Sequence, residues 1–436
     1  MIARSRVLVA LIGASALFVA ACGGGGGGGG GAGTPAGATK GAKAAPTLAQ
    51  SQNAKGQLTY CTGKDTSGAQ KASVADFNKK FSSQGLSVKL LEFPESADEQ
   101  RNQFIQRQQA KSGECDIFYS DVIWTAEFAA QKWLLDMSKY VNKRKSEFIP
   151  STLQTINFDG KYWGVPGVSD AAFLYYRTDQ VKGGAPATWQ QVYQEAQKTD
   201  GIVYQGAPYE GLTVDYLELA FAAGGQVLSP DGKKSAINSP QNLKALQFMV
   251  DGIKNGAAPK AVTTYMEEPA RRAFEAGRAT FMRNWTYAYA LGQKAPKVKG
   301  KFKVVPFPAF QGGGKAGILG GHNFVISTYS KNPKGAVKLI DFLTSPQEEA
   351  QYAELGALAP VLKSSYDDPK VKKALPYAAE LKQAVTQAKS RPVSPVYPQV
   401  SQAIYKNVNA ALAGQVSPQD ALKKADQQIN SALATF

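Results

Sequence analysis

Histidine and cysteine are scarce in this chain, which has one histidine and three cysteines among its 436 residues. No spacing of these residues resembles a zinc site. A Ser-His-Asp catalytic site would have to use His322, but its neighbours Gly320, Gly321 and Asn323 are typical of a tight turn that enters a strand, so a packing or hydrogen-bonding histidine is the better interpretation. The chain after its glycine-rich start also lacks a phosphate-binding loop, a dinucleotide fingerprint and a Gly-x-Ser-x-Gly elbow. The sequence therefore predicts no metal, no cofactor and no catalytic residue.

Apolar runs long enough to span a bilayer are missing after the N-terminal segment. Arg4 and Arg6 precede an uncharged run from Val7, and this run ends in small residues before Cys22, as in a secretory signal. Residues 17–22 (LFVAAC) resemble a bacterial lipobox, in which the cysteine is acylated and becomes the mature N terminus. Residues 1–22 are therefore predicted to be a signal peptide, and the protein to be lipid-anchored at the extracytoplasmic face of a bacterial cell membrane. An ordinary signal peptide with an incidental cysteine is the alternative.

Residues that could build a core are nearly absent from residues 23–55. Residues 23–31 are unbroken glycine, and glycine, alanine, threonine and lysine dominate the segment that follows. Such a composition buries too little surface to fold, so we expect residues 23–55 to be a disordered tether.

Acidic residues are fewer than basic ones, and the formal net charge is +16. A polyanion partner would require the basic residues to cluster, yet lysine and arginine are interspersed with acids across many predicted helices. We therefore expect a solvated surface and no nucleic-acid partner.

Cys61 and Cys115 are the two cysteines of the folded part. Export favours a disulfide between them. However, Cys61 ends one predicted strand and Cys115 precedes another, which would set them several residues apart along neighbouring parallel strands. The sequence is compatible with either a disulfide or two buried thiols, and it does not decide between them.

Short apolar runs alternate with helical patterns from residue 58 onward, which indicates an α/β fold with mostly parallel sheets covered by helices. The predicted strands are residues 58–61, 87–93, 116–120, 172–177, 201–205, 279–283, 303–305 and 323–327. The proline- and glycine-rich residues 305–314 predict a crossing between two lobes, and an earlier crossing is expected near residues 164–170. We assign residues 56–168 and 312–365 to an N-terminal lobe, and residues 169–311 and 366–436 to a C-terminal lobe. Such lobes would flank a cleft that a hinge can close.

Aromatic residues and carboxylates follow several of these strands. Asp121 lies where a strand ends, Asp170 and Glu210 occupy similar positions, and Trp285 and Tyr287 follow the strand at residues 279–283. Carboxylates can accept hydrogen bonds from vicinal hydroxyls, and aromatic faces suit the C–H face of a sugar ring. Taken singly, Asp121 is equally well explained as a helix cap and Trp285 as a core residue. Their joint placement in loops favours a polyol ligand.

Several segments, in order along the chain, resemble the family 1 extracellular solute-binding proteins, the carbohydrate-binding lipoproteins of ABC importers, and especially their trehalose- and maltose-binding branch. These segments are residues 94–101 (PESADEQR), 116–135, 173–179 (FLYYRTD), 209–212 (YEGL), 281–285 (FMRNW) and 391–395 (RPVSP). The resemblance covers nearly the whole folded part. It implies a two-lobed periplasmic-binding-protein fold of type II with the ligand in the cleft.

The resemblance also implies roles for individual side chains. Carboxylates would hold sugar hydroxyls, arginines would donate to sugar oxygens, an indole would stack, and two glycines would allow close backbone approach. The ligand-binding residues that the resemblance implies are Asp65 or Thr66, Arg101, Asp121, Asp170, Trp285, Gly320, Gly321 and Arg391. We add Glu210 and Tyr287 from their positions after strands, and His322 beside the two glycines. His322 and Val168 stand where relatives often carry aromatic residues, so a specific disaccharide does not follow from the resemblance.

The predicted function is that of a monomeric, lipid-anchored receptor that binds a sugar, with a disaccharide or small α-glucoside favoured, and delivers it to an ABC permease. No covalent chemistry is needed. One alternative is a secreted glycoside hydrolase that uses two of Asp121, Asp170 and Glu210, because two carboxylates around a sugar are also the equipment of that class. Another is a receptor for a non-sugar ligand such as a polyamine, against which Arg391 counts.

Overall fold

The computed structural model describes residues 40–435, so the predicted signal peptide, Cys22 and most of the predicted tether lie outside the described residues. The strands are β1 (Gly56–Thr62), β2 (Leu86–Glu92), β3 (Ile117–Asp121), β4 (Asn157–Phe158), β5 (Lys161–Tyr162), β6 (Val165–Ala171), β7 (Phe173–Arg177), β8 (Ile202–Val203), β9 (Phe281–Asn284), β10 (Phe302–Val305) and β11 (Leu319–Ile326). The α-helices are α1 (Leu48–Ser51), α2 (Ala69–Phe81), α3 (Ala97–Gln109), α4 (Thr125–Ala130), α5 (Ser138–Arg144), α6 (Pro150–Gln154), α7 (Trp189–Ala196), α8 (Glu210–Ala222), α9 (Pro240–Lys254), α10 (Glu267–Glu275), α11 (Tyr287–Gly292), α12 (Pro333–Leu343), α13 (Pro346–Gly356), α14 (Pro369–Ala374), α15 (Ala378–Gln387), α16 (Tyr397–Leu412) and α17 (Pro418–Leu433). Among the described residues, no helix combines the length and the hydropathy needed to cross a bilayer.

The first lobe is built on a five-stranded sheet with the order β2-β1-β3-β11-β6. β1 is parallel to β2 and β3, whereas β11 is antiparallel to β3 and β6. Helices α2 and α12 pack on this sheet, and its core contains the fully buried Tyr60, Phe77 and Phe324. The pairing sets Asp121, at the end of β3, opposite His322 of β11.

The second lobe is built on a four-stranded sheet with the order β10-β7-β9-β8. β7 is antiparallel to β10 and β9, and only β8 and β9 are parallel. Helices α8, α9, α16 and α17 pack together, and their apolar faces join the sheet in one core that contains Tyr175, Leu217 and Phe281.

The α/β class is confirmed, but the prediction of mostly parallel sheets is wrong in detail, because both sheets are mixed. β6 leads out of the first lobe and β11 leads back into it, so these neighbouring strands run in opposite directions. Apolar runs along the chain mark where strands occur, whereas strand direction depends on which segments pair in space.

The structure shows where the chain passes between the two sheets. Residues 165–171, near which the earlier crossing was expected, form the buried strand β6 of the first sheet, and the chain enters the second sheet directly afterwards, at Phe173. Residues 305–314 do not leave the second lobe, since the Gly314 N–H donates to the Ala222 carbonyl at 2.8 Å and Phe310 belongs to the second core. The chain returns to the first sheet only at β11.

The predicted tether extends too far towards the C terminus. The Ala45 N–H donates to the carbonyl of Asp136 at 2.9 Å, and Thr47 with Gln50 forms a capping box at the start of α1. Leu48 packs against the first core, and α1 contacts α12. The chain is therefore already attached to the folded body about ten residues before residue 55, and the Thr47-x-x-Gln50 capping signal accounts for the difference.

Cys61 and Cys115 form a disulfide with a Cα–Cα distance of 5.8 Å. The objection from strand register does not apply, because pairing between β1 and β3 begins at Ile117 and Cys115 lies before it. Both cysteines are buried in an aromatic cluster with Phe104 and Trp163.

Replacing both cysteines with alanine should lower the free energy of unfolding by about 2–4 kcal/mol, because the bridge restricts an unfolded loop between positions 54 residues apart. Urea unfolding of the wild type with and without a reductant measures this loss. The double alanine variant is the control, since a reductant should leave its unfolding midpoint unchanged. An equal midpoint for the oxidised and reduced wild type would contradict the expectation.

Candidate functional site

A cavity of about 230 Å³ lies where the two lobes face each other. The first lobe contributes the end of β3, the start of β11 and part of β6, and the second contributes the segment after β9 and the first turns of α8 and α10. Its lining residues are Lys64, Asp65, Thr66, Ser67, Gln70, Glu95, Ala97, Gln100, Tyr119, Asp121, Val168, Asp170, Tyr209, Glu210, Gly211, Val214, Glu267, Glu268, Trp285, Tyr287, Gly320, Gly321, His322, Leu358 and Arg391.

Eleven of the twelve residues predicted for the ligand site line this cavity, and Arg101 does not. The Arg101 guanidinium instead binds the Glu127 carboxylate through two hydrogen bonds, with Nε 2.8 Å from Oε2. Glu127 lies on α4, which packs beside α3, and this nearby acid captures the arginine. A direct role for Arg101 at the ligand is therefore not supported by this arrangement.

Arg391 connects the two lobes beside the cavity. Its Nη1 lies 2.7 Å from Oε1 of Glu210 in the second lobe, and its Nη2 lies 3.7 Å from Oδ1 of Asp121 in the first. Nη2 also donates to the Leu319 carbonyl at 3.2 Å. Nε is buried and has no protein partner among the described residues. Most of the guanidinium is thus used within the protein, and Nε is the nitrogen left for another acceptor.

Glu210 begins α8 and is held by several donors. Arg391 and the Tyr397 hydroxyl each approach its Oε1 at 2.7 Å, and the Ser401 hydroxyl donates to Oε2. Its backbone N–H donates to Asp98 of the first lobe at 3.2 Å, which is a second link between the lobes. Burial raises the pKa of Glu210, and Arg391 opposes this only in part.

Asp121 is the last residue of β3 and accepts a hydrogen bond from the Ile123 N–H at 3.1 Å. This local turn partly agrees with a helix-cap interpretation, although α4 begins only at Thr125. Burial raises the pKa of Asp121, and the Arg391 charge opposes the rise. The Asp121 carboxylate therefore accepts a hydrogen bond within the protein and also lies at the cavity wall.

Asp170 is the buried carboxylate at the base of the cavity wall, in β6. The Thr286 hydroxyl, from the second lobe, donates to its Oδ1 at 3.0 Å. No lysine or arginine of residues 40–435 forms an ion pair with it. Burial raises its pKa to about 7, and the Thr286 bonds offset only part of that rise.

Trp285 presents the indole of the second lobe to the cavity. The Arg283 guanidinium lies 4.3 Å from the indole ring centre, and Arg283 is itself fixed by buried Asp215 and Glu218 at 2.7 and 2.6 Å. The benzene edge of the indole touches Gly320 of the first lobe, where a Cβ atom would lie 2.6 Å from Cζ3. Glycine at position 320 therefore permits this contact between the lobes.

His322 stacks on Tyr119, with ring centres 4.2 Å apart and planes 5° from parallel. Burial, assisted by the Arg391 charge, lowers its pKa to about 4, so the imidazole is neutral near pH 7. The prediction of a packing histidine agrees with this stack, but the predicted tight turn is wrong, because Gly320, Gly321 and His322 lie inside β11 and pair with β6. Gly321 has φ +109°, and a Cβ there would lie 2.1 Å from the Val168 carbonyl oxygen, so the strand requires glycine at this position.

Asp65 reaches the cavity, but its carboxylate is largely used to cap α2. It accepts hydrogen bonds from the backbone N–H groups of Gly68 at 2.9 Å and Lys71 at 3.0 Å, and from the Ser67 hydroxyl. Thr66 beside it is exposed. Of the two residues named for this position, Thr66 has the side chain that is more open to a ligand.

The sequence interpretation missed an acidic group at the mouth of the cavity. Glu95 precedes α3 in the first lobe, and Glu267 and Glu268 begin α10 in the second. Tyr209 donates to Glu267 at 2.6 Å, and Tyr287 donates to Glu268 at 2.8 Å. Acidic residues are common in the first turn of a helix because they interact favourably with the helix dipole. Glu267 and Glu268 therefore carry no local sequence signal that marks them as ligand-site residues.

The model of the bacterial extracellular solute-binding protein family matches residues 63–350, about two thirds of the chain. This protein is a bacterial extracellular solute-binding protein. A relative named "Probable ABC transporter-binding protein" from Deinococcus radiodurans is 37% identical over 367 residues, which cover 79% of this chain and 86% of the relative. Members of this family act outside the cytoplasm, and the family is one of binding proteins.

Solved structures of similar proteins have the same fold. The structure of maltose-bound T. maritima MalE3 is 37% identical, has a TM-score of 0.82, and matches 86% of this chain and 99% of that chain. A solute-binding protein of an ABC transporter from Thermotoga lettingae, bound with α-D-tagatose, is 25% identical with a TM-score of 0.79 and matches 86% and 99% of the two chains. These neighbours confirm the two-lobed architecture of the solute-binding protein.

The raised pKa of Asp170 predicts a pH-dependent cost of folding in the ligand-free solute-binding protein. Between about pH 4 and pH 7 the native state keeps a proton that the unfolded state has released, so the contribution of Asp170 to stability falls as pH rises. The stability of the wild type relative to Asp170→Asn should therefore decrease by up to about 1.4 kcal/mol per pH unit in this window. Urea unfolding at several pH values measures the difference, and Glu380→Gln, on the exposed surface of α15, is the control. A difference that is constant with pH would contradict the expectation.

Gly320→Ala should interfere with the approach of the lobes, because its Cβ would overlap the edge of Trp285. We expect ligand affinity to fall roughly tenfold, since forcing one methyl into a packed contact costs about 1–3 kcal/mol. Small-angle scattering with and without ligand measures the closure. Gly317→Ala is the matched control, because a Cβ there meets no atom within 4 Å. Equal ligand affinity and equal closure in Gly320→Ala and Gly317→Ala would contradict a contact between Gly320 and Trp285 on closure.

Proposed function

We propose that this protein is the receptor of an ABC importer for carbohydrates, and that it captures a small sugar between its lobes and presents the closed form to a permease. The observation that carries the proposal is the convergence of Trp285, Asp170 and Asp121 on one cavity between the lobes. A disaccharide or small α-glucoside is the ligand class that we favour.

The chemistry of the cavity suits a ring with many hydroxyls. Ionised carboxylates accept hydrogen bonds from hydroxyl groups, and each such bond contributes about 1.5–3 kcal/mol. The indole of Trp285 offers an apolar face for the C–H side of the ring, and its Arg283 support keeps it in place. Asp170 and Trp285 face the cavity from different lobes, so a sugar that touches both would favour the closed arrangement over an open one.

The relatives support a carbohydrate and differ in which one. The neighbour at 37% identity holds maltose, the Thermotoga lettingae protein holds tagatose, and a relative from Bacillus subtilis at 23% identity is named an arabinooligosaccharide-binding protein. In this chain, His322 uses one face of its ring to stack on Tyr119, and Val168 is a buried aliphatic residue, so these positions offer less aromatic surface to a second sugar ring than tryptophan would. The relatives therefore support a carbohydrate ligand, but they do not identify which sugar this protein binds.

Anchoring through Cys22 is part of the proposal. An acylated Cys22 followed by glycine-rich residues would hold the folded body near the permease at a high effective concentration, and the receptor would act as a monomer. Cys22→Ala should move the protein from the membrane fraction to the soluble extracytoplasmic fraction of expressing cells. Retention of the variant in membranes would argue against lipid attachment at this residue.

The decisive experiment is a thermal-shift screen of protein that lacks residues 1–22 against mono-, di- and oligosaccharides, amino acids and polyamines, followed by calorimetry of the hits. A sugar at 100 times its dissociation constant should stabilise the protein by about 2.7 kcal/mol. Stabilisation only by amino acids or polyamines would overturn the carbohydrate assignment.

A glycoside hydrolase is the second candidate, because Asp121, Asp170 and Glu210 all line the cavity. Against it, Glu210 is bound by Arg391, Tyr397 and Ser401, which leaves it poorly placed to attack or protonate a substrate. Incubation with maltose and trehalose distinguishes the candidates: release of glucose that is lost in Asp121→Asn would favour the enzyme.

A further inference from the structure

The charges that line the cavity are strongly unbalanced. Seven carboxylates but only two cationic side chains, Lys64 and Arg391, reach the lining. Arg391 is already compensated by Glu210 at 2.7 Å and Asp121 at 3.7 Å. Lys64 has a half-exposed side chain and lies 3.8 Å from Glu92. Arg391 therefore has only its unpaired Nε for another acceptor, and these two cations are too few to balance the seven carboxylates.

Four of the carboxylates, Asp65, Glu95, Asp170 and Glu267, form no ion pair with a lysine or arginine in the described part of the chain. Asp65 is used to cap α2, and Arg283 offsets part of the rise in the pKa of Asp170 without forming an ion pair with it. Asp170 is buried and receives hydrogen bonds only from Thr286 and its own strand, and Glu267 receives one from Tyr209. Glu95 at the mouth forms no ion pair with a described lysine or arginine. Because Asp170 is shielded from solvent, its field inside the cavity is screened by salt much less than that of an exposed acid.

The approach of the lobes brings like charges together. Glu95 of the first lobe faces Glu267 and Glu268 of the second, and after burial these two neighbours are the largest causes that raise the pKa of Glu95. A neutral sugar leaves this repulsion in place. A ligand with a positive charge interacts more favourably with the closed form than with the open one, and this difference is what drives closure.

A metal ion is a poor candidate for the missing charge. Within residues 40–435 no group of three histidine, cysteine or acidic side chains converges closely enough to hold one. The same cavity is lined by Trp285 and Tyr287, whose aromatic rings suit an organic ligand.

We propose that the ligand carries a protonated amine beside its hydroxyls, as in an amino sugar or an amino-substituted glycoside, and that Asp170 is the carboxylate that binds the ammonium group. This inference rests on the proposed carbohydrate receptor and narrows its ligand class. The same charges make sugar phosphates and sugar acids poor ligands, because seven carboxylates and only two cations line the cavity and an added anion is repelled.

Matched ligand pairs test the proposal by calorimetry on the purified protein. The pairs are glucose with glucosamine, galactose with galactosamine, and trehalose with 2-amino-2-deoxytrehalose, and trehalose 6-phosphate is the anionic member. In each pair that binds, the amine should bind roughly tenfold tighter or more than its hydroxyl counterpart, since one charge-assisted bond replaces a neutral one. Trehalose 6-phosphate should bind at least tenfold more weakly than trehalose.

Two variants show whether Asp170 carries the preference. Asp170→Asn should reduce the amine-to-hydroxyl affinity ratio to near one, whereas Glu380→Gln, which removes the same charge from the exposed surface of α15, should leave the ratio as in the wild type. Raising the salt concentration to 1 M should reduce the ratio only slightly, because the ammonium group and Asp170 are buried together.

Each contrary outcome has a distinct meaning. Equal or weaker binding of the amines would overturn the inference and leave the carbohydrate receptor intact. A preference that persists in Asp170→Asn would overturn the assignment of the ammonium to this residue. Putrescine or spermidine binding as tightly as the amino sugars, or no binding by any pair, would overturn both the inference and the proposed function.

Discussion

Replacing Arg391 with alanine is expected to lower the free energy of unfolding by about 3–5 kcal/mol, because the change leaves two buried carboxylates without their cation. The Arg391 side chain is 3% exposed, and its guanidinium lies between Glu210 of the second lobe and Asp121 of the first. Burial already raises the pKa of both acids, and Arg391 is the main group that opposes this. The loss of stability should therefore grow as pH rises and the two acids are forced to ionise. Urea unfolding at pH 5 and pH 8 measures the effect.

Arg101→Ala is the matched control for that experiment. Arg101 is also an arginine with a carboxylate partner, but its side chain is 18% exposed against 3% for Arg391, and it pairs with one acid where Arg391 pairs with two. The loss in this variant should be smaller and should depend less on pH. Adding Glu210→Gln to Arg391→Ala should restore part of the stability, because one of the stranded charges is removed. Equal losses in the two single arginine variants would show that Arg391 does not neutralise buried acids.

Replacing Trp285 with alanine is expected to weaken the affinity for the best sugar from the screen roughly 100-fold, because the ring loses an apolar face of indole size. The variant should remain folded, since Trp285 is only partly buried and contacts the core of the second lobe from outside. Trp285→Phe retains a flat aromatic face and should lose less affinity than Trp285→Ala. Calorimetry measures the affinities, and tryptophan fluorescence reports whether the ligand-induced change disappears.

Trp133→Phe separates loss of the ligand signal from loss of a fluorophore. Trp133 packs against Phe104 and Phe128 in the first lobe and does not line the cavity. Its variant should keep the ligand-induced change in fluorescence and the wild-type affinity. An unaltered affinity in Trp285→Ala would remove the indole from the site.

Local sequence patterns match the structure where a local interaction decides it. Thr188 and Gln191 have the spacing of a capping box and form one, and Ser239, Asn332 and Ser417 each cap a helix before a first-turn proline. In contrast, Ser96 makes no capping bond although Glu99 has the expected spacing. β6 was missed because Pro166 and Gly167 are breakers in isolation, whereas between β11 and the core they are tolerated in a buried strand.

For the site, residue types at strand ends together with the family resemblance selected eleven of the 25 residues that line the cavity, since the ends of neighbouring strands meet at one edge of a sheet. Arg101 does not line the cavity because it binds Glu127, which lies 26 positions away on another helix and leaves no signature near the arginine itself. We did not predict Glu95, Glu267 and Glu268 from the sequence. Each lies at or just before the start of a helix, where the helix dipole favours an acid whether or not a ligand binds there.

The amino-acid sequence by itself determined the alternation of strands and helices, the family, and the set of carboxylates and aromatics available for a ligand, because these depend on local periodicity and residue type. Tertiary structure alone decided strand direction, the disulfide between Cys61 and Cys115, and the use of Arg391 as a bridge from Glu210 to Asp121. It also decided that the cavity has more carboxylates than cations. Charge balance in a cavity depends on which opposite charges come within a few ångströms, and that distance is set by the packing of the two lobes.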